Sequence, residues 1–547
     1  MADSEGSRLS QQFAAFLAGR SGLEGADRAA FTELLATLVN AFDGGHSCLQ
    51  VDAGARRLLL QSSLVSEADN TPLVLRDDRL YLHRFAAYEM RLAAGLQALA
   101  GLRSPLPVSL PLWAERTDPQ QGRALRLALE RPLAIICGGP GTGKTTTVVK
   151  ILVLLAQTLP GKPAMALAAP TGKAAQRLGE AIASGLAALN LDEAIRERIP
   201  VVAQTIHRLL GVRRFSPNFT HHHDNPLAWD VVVVDEASMV DLALMSKLVD
   251  ALKPGARLLL LGDKDQLASV ESGAVLADLI AGLPENTVLL EKSYRFDKGI
   301  ASLAAAINRG DGPEVWRQLS DRESENITAV NQLPLTLITE RYAAYIAEAL
   351  TVPSVDLLTL FQKFNGFRVL CALHHGPRGV AGINRQVIAA LIRAGFPCRL
   401  EGWFPGRPVL ITRNDYSLNL YNGDVGICLA EANTGELKAW FIGDGLRPRG
   451  YALGILPPCE TAFAMTIHKS QGSEWPEVVV VLPEEDTPLL TRELVYTAVT
   501  RARGAVCLVS AQPLLSLAIS RRTRRCSGLL QLFSTSVAAR EEAGRQR

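Results

Sequence analysis

Residues 138 to 147 read GGPGTGKTTT and directly follow the apolar run LAIIC. A glycine-rich turn that leaves a strand and ends in Lys-Thr-Thr dictates strand, tight loop and helix in that order, and its common chemical use is to hold nucleotide phosphates. Gly138, Gly141 and Gly143 let the backbone turn its N–H groups inward, Lys144 brings a point charge to the β/γ oxygens, and Thr145 is positioned to ligate Mg²⁺. The expected nucleotide set is therefore Gly138, Gly139, Pro140, Gly141, Thr142, Gly143, Lys144, Thr145 and Thr146, with ATP and Mg²⁺ as its ligands. What ATP would drive is open at this point: phosphoryl transfer, a switch, or movement along a polymer.

The same strand-then-polar-loop pattern recurs. AMALAA precedes PTGKAAQRL, VVVV precedes DEASM, and RLLLL precedes GDKDQL. Each polar motif sits at the carboxyl end of an apolar run, where parallel α/β sheets bind ligands, so these runs predict one nucleotide-binding sheet. A second series, RVLCAL, PVLIT, AFAMTIH, VVVVL and AVCLVS, predicts another α/β sheet without a phosphate loop. Between PVLIT and AFAMTIH, alternating residues and Gly, Asn and Asp turns predict a small antiparallel β insertion.

Asp235, emerging from the valine strand, is expected in the magnesium shell, with Glu236 polarising an attacking water. A carboxylate base favours a hydrolase over a kinase, which excludes water. Gln266 in GDKDQL could touch both γ-phosphate and water. Charge developing on the γ-phosphate needs further cations; the candidates are Arg295 in EKSYRF and Arg501 in VYTAVTRAR. Arg501 belongs to the second sheet, so its use requires ATP to lie in a cleft between two domains.

At 547 residues the chain is too long for one core. The first hundred residues carry helical spacing of apolar residues and no phosphate motif, and GLRSPLPVSLPLW, with its three prolines, reads as a linker. The expected division is a helical N-terminal docking domain over 1–110, a first ATPase domain over 115–298, a second over 299–516 with the β insertion at about 404–460, and a basic tail over 517–547. The run RRTRR at 521 to 525 reads as part of a solvated charged tail. Eight scattered cysteines without a CxxC pair read as reduced core thiols. The formal net charge of +2 requires any polyanion-binding groups to be locally concentrated. The absence of a long apolar stretch and of a secretory start leads to the expectation of a cytoplasmic protein.

Gln121 in DPQQGRA, GGPGTGKTTT, APTGKAAQRL, TIHRLLG, VVVVDEASM, LGDKDQLASVESG, SYR, TIHKSQGSEW and VYTAVTRAR, in this order, resemble the motifs of superfamily 1 helicases. They look most like the 5′-to-3′ branch and, within it, the RecD family of exodeoxyribonuclease V (RecBCD) subunits; PLVLRDDRLYLHRFAAYE is also similar to that family. The resemblance implies two RecA-like parallel-sheet motor domains, a helical N-terminal domain and a small SH3-like β insertion. It implies that Gln121 reads adenine and that Gly472 and Glu474 approach the nucleotide from the second domain. Tyr294 either stacks near the base or belongs to the core. DNA contacts are expected from Pro170, Thr171, Lys173, Thr205 and His207 in the first domain and from Thr466, His468 and Lys469 in the second. The segment at about 212–228 would be a pin that parts the duplex; its histidines His221 to His223 read as a solvated loop rather than a zinc site.

The function so implied is an ATP-dependent 5′-to-3′ DNA helicase subunit acting on single-stranded DNA and double-strand ends with RecB-like and RecC-like partners. Two alternatives stand beside it: a stand-alone superfamily 1 helicase, and a structural subunit whose nucleotide site only stabilises assembly.

Overall fold

The computed structural model describes residues 2–534 apart from 69, 104–105, 107–116, 214–215, 270, 293, 295–297, 322–325, 352–355, 416, 432–433 and 444–446. Much of the linker and Arg295 thus lie outside the described residues. The fold is mixed α/β, built on two parallel sheets.

The N-terminal segment is not purely helical. Helices Ala2–Ala18, Gly25–Asp43, Ala53–Leu60 and His83–Gly101 accompany strands β1 (Leu49–Gln50), β2 (Val65–Ser66), β3 (Leu73–Arg76) and β4 (Arg79–Leu82), paired in the order β1-β4-β3-β2. PLVLRDDRLYL is the β3–β4 hairpin, whose turn holds Asp77 at φ 48°. Strands of two to four residues are too short to compete with the helical periodicity around them. Helix His83–Gly101 lies so close to helix Leu242–Asp250 that a Cβ on Gly95 would fall 2.6 Å from Val249. Val74, Phe85 and Leu92 thereby share one core with Val232, Val234 and Leu248.

The first parallel sheet comprises β5 (Leu133–Gly138), β6 (Met165–Ala169), β7 (Ala203–Thr205), β8 (Val231–Val234), β9 (Arg257–Gly262) and β10 (Thr287–Leu290), in the order β10-β5-β9-β8-β6-β7. The unbroken apolar runs have a simple cause. Ile135, Val232, Val234 and Leu258 enter the core on one face, while Ile136, Val231, Val233 and Leu259 enter the core on the other. A strand covered on both faces has no polar side to alternate with. Strands β7 and β10 escaped the sequence reading because they are short and, at the sheet edges, only partly buried.

In the second half, β11 (Ile327–Val330) and β12 (Phe367–Cys371) are followed by β13 (Pro408–Ile411), β14 (Val425–Ala430), β15 (Leu437–Ile442), β16 (Pro448–Ala452) and β17 (Cys459–Thr461), then by β18 (Ala464–Thr466), β19 (Trp475–Val481) and β20 (Ala502–Val509). The parallel sheet has the order β11-β20-β19-β12-β18; the five strands between form an antiparallel sheet, β16-β15-β14-β13-β17. PVLIT therefore belongs to the antiparallel insertion, not to the second parallel sheet. Its four strand residues are all buried, so its pattern is indistinguishable from a parallel strand, and only its pairing with β14 and β17 decides.

The expected solvated tail is a strap. After helix Gln512–Ser520, Arg521 pairs with Asp486 at 2.7 Å, and Arg525 donates to the carbonyls of Ser269, Glu271 and Gly273 at 2.6–2.9 Å. Leu529 and Phe533 then enter the core shared by the N-terminal segment and the first sheet. Cys526 meets Cys48 at 3.3 Å between sulfur atoms. Arg522 and Arg524 of the basic run are exposed, as expected of a charged tail, whereas Arg521 and Arg525 find acceptors distant in sequence and are partly buried. Residues 535–547 lie outside the described residues. Among the described residues no helix is long and apolar enough to cross a membrane.

Candidate nucleotide and nucleic-acid site

Strand β5 ends in a loop where Gly141 and Gly143 take φ of 76° and 84°, a region that side-chain-bearing residues rarely adopt. Gly143 is also short of space, since a Cβ there would lie 2.7 Å from Nε2 of Gln121. Helix Lys144–Thr158 starts immediately, so its unpaired N–H groups and positive dipole end face the loop. Lys144 Nζ donates to the carbonyls of Gly138 and Gly139 at 2.5 and 3.0 Å. The lysine is thereby held beside the loop it serves.

In front of this loop lies a cavity of about 420 Å³. The first sheet lines it with Pro140, Gly141, Gly143, Lys144, Thr145 and Thr146, with Asp235 and Glu236 after β8, and with Gln266 after β9. The second sheet lines it with Gly472, Glu474 and Arg501, and Tyr294 closes another edge. Of the nucleotide-binding residues expected from sequence, Gln121, Gly138, Gly139 and Thr142 stand behind this surface: Gln121 is buried against Gly143, and the other three face a neighbouring cavity behind the loop. Tyr294 is 53% exposed, which removes the core alternative; its N–H donates to Gly141 and its ring lies near Lys292.

The two carboxylates after β8 are electrostatically tense. Burial and the neighbouring Glu236 push the Asp235 carboxyl up to about 6, while Lys144 acts in the opposite direction. The Glu236 N–H donates to Asp235 Oδ1 at 2.8 Å, and Glu236 itself sits at φ 52°, a left-handed conformation that costs a non-glycine residue about 1–2 kcal/mol. Strain of this kind persists only where the surroundings enforce it, and here it falls on the expected base. Thr145 and Asp235 supply hydroxyl and carboxylate oxygens beside the phosphate loop, a donor set suited to a hard cation that completes its shell with phosphate oxygens and water.

Arg501 is 2% exposed, fixed by Nε to Thr497 O at 3.1 Å and by Nη1 to Ser473 O at 3.2 Å. The carboxylate of Glu474 pairs with Arg177 at 3.3 Å and Arg503 at 2.9 Å. Arg177, on helix Gly172–Ala187, also donates to Gly472 O, so it binds the first sheet's side of the cleft to the second. Three further bonds cross the cleft: Tyr496 OH to Asp263 Oδ2 (3.1 Å), Leu267 N to Thr497 Oγ1 (2.9 Å) and Gln471 Nε2 to Leu267 O (2.9 Å).

Arg177, Asp263, Tyr496 and Thr497 were missed in the sequence although each lies inside a motif quoted for other members. Composition does not tell which member of a motif faces the cleft.

The residues expected on DNA also lie at carboxyl ends, those of β6, β7 and β18. Pro170 and Thr171 follow β6, Thr205 ends β7, and Thr466 ends β18. Each threonine hydroxyl caps the turn that follows, accepting from Ala174, Arg208 and Lys469 N–H respectively at 3.2 Å. His207 meets Phe219 of the 212–228 segment edge to face. That segment carries two isolated antiparallel bridges, Val212 to Phe219 and His222 to Asn225. Lys469 is paired with Glu460 at 2.7 Å, and burial lowers the pKa of His468. Lys173 turns toward Trp475 across the cleft, 5.6 Å from its ring; burial, then Arg368 and Arg177, bring its ammonium down to about 7. Arg295 lies outside the described residues.

Comparison with known proteins follows the same division. The model of the AAA domain matches residues 121–272, and that of the UvrD-like helicase C-terminal domain matches residues 461–509. The chain is 45% identical to the RecBCD enzyme subunit RecD of Mycobacterium tuberculosis, over 86% of this chain and 83% of that one. It is 41% identical to the RecBCD enzyme subunit RecD of Mycolicibacterium smegmatis, over 90% of this chain and 92% of that one. It is 32% identical to the ATP-dependent RecD2 DNA helicase of Deinococcus radiodurans, over 88% of this chain but 64% of that one.

Proposed function

The chain belongs to the RecD family of ATP-dependent DNA helicases, and from that premise we propose that ATP bound between its two parallel sheets drives 5′-to-3′ movement along single-stranded DNA at double-strand ends, in assembly with RecB-like and RecC-like subunits. One observation carries the mechanistic part: a single cavity is lined by Lys144, Asp235, Glu236 and Gln266 on one side and by the buried Arg501 on the other.

Lys144 and the loop N–H groups hold the phosphates. Glu236 accepts a proton from the attacking water, and Gln266 orients that water. Arg501 stabilises charge on the γ-phosphate, and Arg295 is assigned as a further cation. Thr145 and Asp235 would hold Mg²⁺, which would supply charge neutralisation at the phosphate oxygens. Gln121 and Tyr294, both beside Gly143, serve the base. ATP draws the sheets together because Lys144 and Arg501 belong to different sheets; hydrolysis removes the group both contact, and the sheets part.

Thr171, Thr205 and Thr466 suit a nucleic-acid backbone for a chemical reason. A threonine that accepts a backbone N–H retains its own O–H, which can donate to a phosphate oxygen. Pro170, His207, Lys173, His468 and Lys469 lie within three residues of these threonines in the chain and would join them on the strand. The 212–228 segment acts as the pin, and the antiparallel sheet as an SH3-like insertion. We divide the chain into an N-terminal docking unit to about 110, RecA-like motor domains at about 115–298 and 299–516, and the C-terminal segment. Its place of action would be the cytoplasm, with the DNA.

The subunit reading is favoured over a stand-alone helicase because the chain is 45% and 41% identical to the mycobacterial subunits but 32% identical to the Deinococcus helicase. The test is ATP hydrolysis by the purified chain with and without oligo-dT, beside Glu236→Gln. Stimulation by single strands that is lost in the variant supports a DNA-driven motor; a rate indifferent to DNA and to Glu236 sinks it.

A further inference from the structure

We propose that Tyr496 is a positioning residue for ATP hydrolysis, acting from the second sheet through Asp263 to set which end of the Gln266 amide meets the attacking water; this rests on the reading that ATP is hydrolysed in the cavity. Gln266 lines that cavity, whereas Asp263 stands behind it, 2% exposed. Asp263 Oδ2 accepts from Gln266 Nε2 at 3.1 Å and from Tyr496 OH at 3.1 Å, and Oδ1 accepts from Asp265 N at 3.0 Å.

The chemistry of the groups determines the consequence. A carboxylate has no proton to donate, so only the NH₂ end of a carboxamide can face it. With that end engaged by Asp263, the carbonyl oxygen is the end of Gln266 left for the cavity. A carbonyl oxygen accepts from water and leaves the water lone pairs for the phosphorus; an NH₂ group turned the same way would occupy them. The orientation of one amide therefore separates a productive site from an unproductive one.

Asp263 holds that orientation only while its own charge is satisfied. A buried carboxylate requires several donors, and here one of them comes from the other sheet. Tyr496 is itself 4% exposed, its hydroxyl lies close over Gly139 of the phosphate loop, and it also bonds Asn308. Beside it, Thr497 Oγ1 and the Gln471 amide hold the N–H and carbonyl of Leu267. The 263–267 loop is thus gripped at three points by the second sheet's half, and parting of the sheets breaks all three together. Hydrolysis is thereby made conditional on closure by a route independent of Arg501.

The experiment uses the full chain, alone or assembled with its partner subunits, and takes as its own turnover the part abolished by Lys144→Gln. Tyr496→Phe keeps the ring and removes the hydroxyl. The expected result is a fall of about tenfold in kcat with KM for ATP within about twofold, since the loss falls on the transition state. Gln266→Ala should lower kcat at least as far, and the double variant should be no slower than Gln266→Ala alone, because both changes remove one function. Effects that multiply in the double variant, or a Tyr496→Phe change confined to KM or to thermal stability, would overturn the proposal and leave the hydrolase reading intact. An unsubstituted chain with no Lys144-dependent turnover in either form would overturn the hydrolase reading, and the proposal with it.

Discussion

In the first parallel sheet valines 231 to 234, and in the second valines 478 to 481, send alternate side chains into two different cores, and both sheets present their loops at the carboxyl ends of the strands. Yet the loop after β5 carries two glycines of positive φ and ends at Lys144, whereas the loop after β12 has Gly376 at φ 90° and leads into helix Val380–Arg393 through Gly379 at φ −86°, with valine where the first helix begins with lysine. The scaffold does not make a phosphate site; the turn does. The second sheet brings to the cavity the buried Arg501, with Gly472 and Glu474, and a set of bonds that exist only across the cleft. Affinity should therefore depend mainly on the first sheet, and turnover on both.

That contrast can be broken most forcefully at the phosphate loop. Lys144→Gln should abolish ATP turnover, by about a thousandfold or more, and weaken nucleotide binding, as read by steady-state hydrolysis and by binding of a fluorescent ATP analogue. Arg501→Lys keeps a cation but loses the planar fork that Thr497 and Ser473 hold. It should lower kcat about a hundredfold while analogue binding changes by less than about threefold; equal losses in both would erase the distinction between the sheets.

Arg177→Ala removes the cross-cleft pair with Glu474 and the bond to Gly472. The expected change is a rise of about three- to tenfold in KM for ATP with kcat nearly kept, because closure then costs more while the chemistry is untouched. The smallest effect concerns DNA. Lys173 gives up its proton near pH 7, so it is cationic below that pH and neutral above it. Single-strand affinity should fall by about two- to threefold between pH 6 and pH 8, beyond any fall seen in Lys173→Met; parallel curves for the two proteins would remove Lys173 from the DNA path.

Much of this molecule could be read from the chain because two kinds of signal are local. Apolar runs such as LAIIC and VVVV are continuous since both faces of each strand are covered, and GGPGTGKTTT is a conformational requirement as much as a chemical one. Lys144, Asp235, Glu236 and Gln266 fall at strand ends for the same reason, and they meet in one cavity.

Other features depend on partners distant in sequence. PVLIT carries the pattern of a parallel strand but pairs antiparallel with β14 and β17, because burial fixes the pattern and pairing fixes the direction. RRTRR keeps Arg522 and Arg524 in solvent, yet Arg525 meets three carbonyls at residues 269–273 and Phe533 finds a core. Tyr496 and Asp263 are ordinary members of their motifs until a hydrogen bond joins them across the cleft. The sequence by itself determined the long buried strands of the two parallel sheets, the phosphate loop and the acidic pair, whose information lies within about ten residues of chain. Only the tertiary structure decided which sheet a strand joined, where the strap ran and which side chains closed the cleft, because hydrogen-bond partners and desolvation are properties of groups brought together by folding.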